Sequence, residues 1–382
     1  EILQHIPLER VKDVVLFDPR DKEMPLGFNI LEAKDANQKD LIVNEVVQIL
    51  QKLAARLNPE SIGPMFEHYL RNALLALVED ENATLLDVPR MFVDEKFRKI
   101  ILEKNTNPTV LQFWQQEFAQ SQRGQMSADM LSYVISKLGR FISNETVRNI
   151  IGQAKSSFDV REVMDSQKIL LCNLSKGQLG DINSDLLGFV LVSKIQIAAL
   201  GRSNMPEATR KDFYLYLDEF QNFTTDSIAT ILSEARKYKL NLNLTHQFIK
   251  QLDDPIREAV FGNVGTILSY RIGVEDGEFM EKQFAPVFTQ YDLVNLHRFT
   301  AVIRLLANGT PERSFSLTSN MPPEHGNSEV AESVREYSRH EYGRKKSTVE
   351  MGILTRFQAT AAKKKEESSN AEYLSESLFD IG

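Results

Sequence analysis

The run Phe213-Tyr214-Leu215-Tyr216-Leu217, closed by Asp218-Glu219, constrains the fold more than any other stretch of the chain. Five largely apolar residues of high β propensity make a strand that prefers burial, while two adjacent carboxylates at its end must reach water. A buried strand that delivers acids to its C-terminal edge belongs in an open α/β sheet, where ligands bind at that edge. The bare pattern also fits a strand that simply ends in a solvated acidic turn, so its neighbours decide. Leu240–Thr245 repeats the strand signal after a helical segment at 225–238, and it runs into Thr245-His246-Gln247. Ile169–Leu174, Thr266–Ile272 and Ala301–Leu306 are further short apolar runs, with helix-like segments at 184–200, 254–262 and 275–284. Strands alternating with helices predict a mostly parallel sheet covered on both faces.

One earlier strand, Val14-Val15-Leu16-Phe17 before Asp18-Pro19, stands apart from the rest. Between them the period changes. Leu41, Val43, Val46, Val47, Leu50, Leu53 and Leu57 recur at helical spacing, and similar stripes follow to about residue 149, separated by Asp87-Val88-Pro89 and Asn107-Pro108. Trp114 with Phe113 and Phe118 fits the core of this region better than a base-stacking platform. The reading is therefore a core that starts in 1–39, an all-α insertion over 40–155, a catalytic half over 156–320 and a polar tail over 321–382. The tail, with Arg344-Lys345-Lys346 and Lys363-Lys364-Lys365, reads as flexible or as a loosely held helix.

Composition narrows the chemistry. With 45 Lys and Arg against 53 Asp and Glu, the net charge is −8, so a polyanion would need a local basic patch or the channel of an oligomer. The single cysteine, Cys172, excludes an intrachain disulfide and reads as a small core residue of the run Ile169–Cys172. The six histidines lack metal-ligand spacing, so no structural zinc is expected. Leu186–Leu200, the most apolar stretch, is interrupted by Ser193, Lys194 and Gln196 and falls short of a membrane span. A cytoplasmic setting follows, with the inner face of the cell membrane as an option through an upstream segment. The chain opens at Glu1, inside a helix-like stretch, as a fragment truncated upstream would.

A strand ending in Asp-Glu is the Walker B arrangement of P-loop ATPases, and a glutamine at the tip of the neighbouring strand is placed to contact a γ-phosphate or its attacking water. Leu217-Asp218-Glu219-Phe220-Gln221-Asn222-Phe223, Ser233-Glu234-Ala235-Arg236-Lys237-Tyr238 and Thr245-His246-Gln247, in this order, resemble the HerA–FtsK superfamily, and within it the TraG/TraD type IV secretion coupling proteins. Gly262-Asn263-Val264-Gly265-Thr266 with Tyr270-Arg271-Ile272-Gly273, and the early Phe17-Asp18-Pro19 and Gly27-Phe28-Asn29, are also similar to that family. The resemblance implies a RecA-like P-loop ATPase core with an all-α insertion, driving DNA through a hexameric ring with ATP and Mg²⁺. It implies Asp218 as the acid that holds Mg²⁺ through water, Glu219 as catalytic base and Gln247 as sensor. It also implies an arginine finger in trans, Arg271 or else Arg236, and secretion or relaxosome proteins as partners. One departure is large: no G-x-x-x-x-G-K-[ST] occurs in the 382 residues. Gly343-Arg344-Lys345-Lys346-Ser347-Thr348 lacks the second glycine and follows no strand. The chain by itself is expected to be inactive. The alternatives are a HerA-like DNA-processing translocase and a non-catalytic interaction module.

Overall fold

In a computed structural model the structure describes residues 1–57, 63–121, 141–225, 227–321 and 326–358, with the isolated positions 135, 138, 139 and 323. They form two compact units, one of Ile6–Gly201 with Val330–Gly382 and one of Glu1–His5 with Arg202–Glu329.

In the first unit, β1 (Val14–Phe17) lies parallel to β2 (Ile169–Cys172), with Val14 opposite Ile169 and Phe17 opposite Cys172. Val14, Val15 and Phe17 are buried. β2 is only half buried and Cys172 at its end is exposed, which corrects its placement in the core. β2 has no second neighbouring strand among the described residues, so its apolar residues lack cover on that edge.

Every described helix or strand between β1 and β2 is helical. The helix Ala36–Leu57 buries Ile42, Val43, Val46, Val47, Ile49, Leu50, Leu53 and Ala54 along one stripe. Trp114, Phe113 and Phe118 are buried and pack with Tyr69 and Phe92, the Trp114 and Phe118 rings lying 4.8 Å apart. The helix Asp181–Gly201 corrects the reading of its apolar stretch as too short for a span: it is long and apolar enough to cross a membrane by length and composition, yet it buries side chains on all its faces within this unit. It packs against Ala36–Leu57, where Ser193 Oγ donates to Glu45 Oε2 at 2.8 Å and Arg56 pairs with Asp185. These helices belong to the same compact unit as β1 and β2, and the compact units do not follow boundaries at 39/40 and 155/156.

The stretch after residue 320 differs from a flexible tail as far as it is described. Ser328–Tyr342 is a helix that buries Val330, Ala331, Val334 and Ser338. Ser338 Oγ accepts the Leu16 N–H at 2.8 Å, which caps the outer edge of β1. Beyond it Lys346 N–H donates to Glu23 O at 2.9 Å, and Arg356, on the helical turns of 346–358, donates to Asn82 O at 2.9 Å and Gly152 O at 3.0 Å.

In the second unit, β3 (Phe213–Leu217) and β4 (Leu240–Leu244) run parallel, with Phe213 opposite Leu240 and Leu217 opposite Leu244. β5 (Ile267–Ser269) and β6 (Thr300–Arg304) are antiparallel, and β6 pairs antiparallel with β9 (Phe315–Thr318). Between them β7 (Leu306–Ala307) and β8 (Thr310–Pro311) form a small hairpin turned by Asn308 and Gly309, both at positive φ. The mostly parallel sheet expected from the sequence is thus corrected for 266–318. The hairpin returns the chain directly from β6 to β9, and a short return forces their antiparallel pairing. Ile249, Ile267, Met280, Phe284, Leu293 and Val302 form the core beneath this sheet.

Candidate active site at the tip of the Asp218 strand

The β3–β4 ladder continues one bond past the strands: Thr245 N–H donates to Leu217 O at 3.0 Å. The backbone then leaves the ladder. Glu219 adopts the left-handed conformation, φ 51° and ψ 45°, which costs a non-glycine residue about 1–2 kcal/mol. Pairing resumes at Phe220, whose N–H donates to Thr245 O at 3.0 Å. Phe220 is wholly buried, and its ring meets His246 edge-on at 5.5 Å. The aromatic anchor and the resumed hydrogen bond hold the excursion in place, and the two carboxylates sit at the strand tip, Asp218 exposed and Glu219 half-buried.

Each acid is held differently. Asp218 Oδ1 accepts the Thr245 hydroxyl at 2.5 Å and the Glu219 N–H at 3.1 Å. Its other oxygen accepts no hydrogen bond among the described residues. Glu219 has both oxygens engaged by amides: Gln247 Nε2 donates to Oε1, and Gln221 Nε2 donates to Oε2 at 2.6 Å. His246 lies between these partners, half-buried, and burial above all pushes its imidazole below the ordinary histidine value.

Asp218, Glu219 and Gln247, singled out in the sequence, thus come together. Arg236 and Arg271 do not join them. Arg236 lies in the turn Ala235–Tyr238, which feeds the beginning of β4, at the opposite end of the strand pair. Arg271 sits past the end of β5, exposed, in a stretch expected to be strand up to Ile272. Thr245 and Gln221 belong to the site and were missed. The signal for Thr245 is register, since it follows Leu244, the partner of Leu217, and so falls beside Asp218.

The donor set suits a hydrated magnesium ion, which takes oxygen ligands and keeps most of its water. Asp218 offers a free carboxylate oxygen, and Glu219 stands next to it in a fixed orientation. The 382 residues contain no glycine-rich lysine loop to cradle a triphosphate. These residues fit the metal-and-water half of a nucleotide site. In the other unit a cavity of about 360 Å³ is lined by Lys34, Asp159, Lys168 and Lys194 among others. Its lysines are already engaged by Asp159, Glu162 and the Glu32 carbonyl.

No protein-family model and no curated protein matches the chain. Solved structures do. The plasmid coupling protein TrwB in complex with the non-hydrolysable ATP analogue ADPNP superposes with a TM-score of 0.57 at 13% identity, over 81% of this chain and 74% of that one. TrwB in complex with ADP and Mg²⁺ gives 0.54 at 14%, over 82% and 75%. VirB4 of Thermoanaerobacter pseudethanolicus gives 0.51 at 14%, over 81% and 77%. The chain shares the fold of these proteins.

Proposed function

We propose that the protein carrying this chain is an ATP-driven motor of the conjugation and type IV secretion kind, which moves DNA through a ring of identical subunits. The observation that carries this reading is the Asp218–Glu219 tip clamped by Gln247 from the next strand, in a fold shared with TrwB, which binds nucleotide and, in its ADP complex, Mg²⁺. Bound Mg²⁺–ATP supplies the phosphoryl group and its leaving group. Asp218, fixed through one oxygen by Thr245, would hold the hydrated magnesium ion through the other. Glu219 orients the attacking water and takes its proton, while the two glutamine amides keep the carboxylate in one position. Gln247 is the group through which events at the γ-phosphate reach Glu219.

The transition-state cation comes from another copy. The candidates are Arg271, exposed past the end of β5, and Arg236, which lies at the far end of the strand pair from the acids of its own chain and so could reach only a neighbour's site. The net charge of −8 leaves DNA contact to local basic loops, and the protein works on the cytoplasmic side of the cell membrane. Glu219→Gln in the gene product that contains this chain is expected to keep Mg²⁺–ATP binding and to lose about 10²–10⁴-fold in turnover, the range for a general base. Unchanged hydrolysis refutes the assignment. A second reading is a non-catalytic interaction module, which the absence of DNA-stimulated hydrolysis in that gene product would bring forward.

A further inference from the structure

Arg202 is the bulkiest wholly buried side chain among the described residues. A guanidinium carries five N–H donors and no acceptor, so its burial costs less the more of those donors meet oxygens. Arg202 Nη1 donates to Lys211 O and Tyr238 O, both at 2.9 Å, with Lys239 O at 3.5 Å. Arg210 extends the same construction. Its Nε donates to Arg202 O at 3.1 Å, its Nη2 to Met205 O at 2.9 Å and its Nη1 to Lys237 O, and its guanidinium lies 5.7 Å from the centre of the Tyr238 ring. Phe213 N–H takes the Lys239 carbonyl at 2.9 Å, and Lys239 N–H donates to Arg236 O at 3.2 Å. The carbonyls of Arg236, Lys237, Tyr238 and Lys239 are all engaged.

A turn that only reversed the chain would need just the last of these bonds. Here two arginines fix the backbone of a segment whose side chains Arg236 and Lys237 are exposed and make no ion pair among the described residues. A cation carried on a rigid backbone has only its side-chain freedom left to lose when it meets an anion.

We propose that Arg202 and Arg210 are positioning residues that preset the turn Ala235–Tyr238, so that Arg236, with Lys237 beside it, is held ready for a phosphate group bound by a second copy of the chain. This rests on the ATPase reading above. The two arginines touch no substrate; they act through Arg236.

The experiment measures ATP turnover by the assembled gene product carrying Arg210→Ala, Arg210→Lys or Arg202→Lys, alone and combined with Arg236→Ala. Amide hydrogen exchange is followed at 236–239 in the same proteins. Arg210→Ala is expected to lower kcat roughly 10- to 100-fold, the scale for a group displaced by about 1 Å, with KM for ATP unchanged. It is expected to add nothing to the loss caused by Arg236→Ala, and to speed exchange at 237–239. Arg210→Lys, which keeps the charge but not the fork, recovers only part. Losses that multiply with Arg236→Ala, or exchange unaltered by Arg210→Ala, overturn the proposal. If Glu219→Gln abolishes turnover and Arg236→Ala does not, the ATPase reading stands and this inference falls. If Glu219→Gln turns over normally, or the unmodified protein hydrolyses no ATP, the ATPase reading itself fails and takes the inference with it.

Discussion

Phe220→Ala tests whether the acid pair owes its position to the aromatic anchor behind it. Phe220 is wholly buried, so truncation removes a full ring from packed surroundings and should cost about 3–5 kcal/mol. Phe220→Leu, which keeps most of the volume, should cost under about 1.5 kcal/mol. The neighbouring His246 adds a second readout. Burial, opposed by Phe248 backbone, Asp276 and Glu219, holds its imidazole below the ordinary value. Its neutral form is favoured in the folded state, so this stability is complete above about pH 6.5 and is lost as the pH falls through the lower folded value. Water admitted by the cavity in Phe220→Ala should return His246 toward its ordinary value, making the destabilisation larger at pH 7.5 than at pH 5. Urea unfolding followed by far-ultraviolet circular dichroism gives the stability, and proton NMR gives the His246 titration. Trp114, the only tryptophan, belongs to the first unit, so its fluorescence serves as the internal control. A loss below about 1 kcal/mol with His246 titrating as before would show that Phe220 does not anchor the tip.

Two further changes test the surrounding construction. Asp159 caps the helix Val160–Asp165, accepting the Glu162 N–H at 3.0 Å and pairing with Lys34. Burial works against its ionisation, but the Lys34 ammonium and the Glu162 and Arg161 N–H groups together hold the carboxyl below the usual range. Stability from this group is present above about pH 4 and lost as the pH falls through the folded value. Asp159→Ala should therefore cost about 1–2 kcal/mol at pH 7, mostly from the cap because Lys34 is largely exposed, and little at pH 2 by urea titration. Lys239 sits at φ 56° and ψ 36° at the end of the Ala235–Tyr238 turn, so Lys239→Gly should stabilise the second unit by about 0.5–1 kcal/mol. Lys239→Ala should give no gain, and equal melting temperatures for the two variants would argue against strain there.

The parts of the molecule that were legible in the sequence are those whose physics is local. Val14–Phe17, Ile169–Cys172 and Phe213–Leu217 announce themselves as short apolar runs bounded by polar residues, and Leu240–Leu244 as a strict alternation of leucine and asparagine. Strand direction is not local. Nothing in Ile267–Ser269 or Thr300–Arg304 says that they pair antiparallel, and Phe315–Thr318, half polar and largely exposed, gives almost no strand signal. The helix Ser328–Tyr342 hides for a related reason. Its docking uses three small apolar residues and one serine hydroxyl, a face too thin to stand out from its charged neighbours. In the site, Asp218, Glu219 and Gln247 follow from strand ends alone. Gln221 does not, because its bond to Glu219 exists only once Glu219 turns left-handed and brings a residue two positions on back against it.

The strand pair that carries the acids also separates them from the cations. β3 holds five residues between the Arg202–Arg210 construction at its start and Asp218 at its end, a rise of roughly 16 Å at about 3.3 Å per residue. Hydrogen bonds to a phosphoryl group in flight must close to about 3 Å. Arg236 and Glu219 of one copy are therefore ill-placed to act on the same phosphorus, however the side chains rotate. If both contribute to hydrolysis, each belongs to a different half of a site assembled from two copies, and turnover must depend on assembly as well as on nucleotide. Mixing Glu219→Gln with Arg236→Ala subunits separates the cases. In a closed ring some interfaces then pair an intact acid tip with an intact arginine, and activity returns above that of either variant alone. Reaction confined within one chain predicts no such recovery.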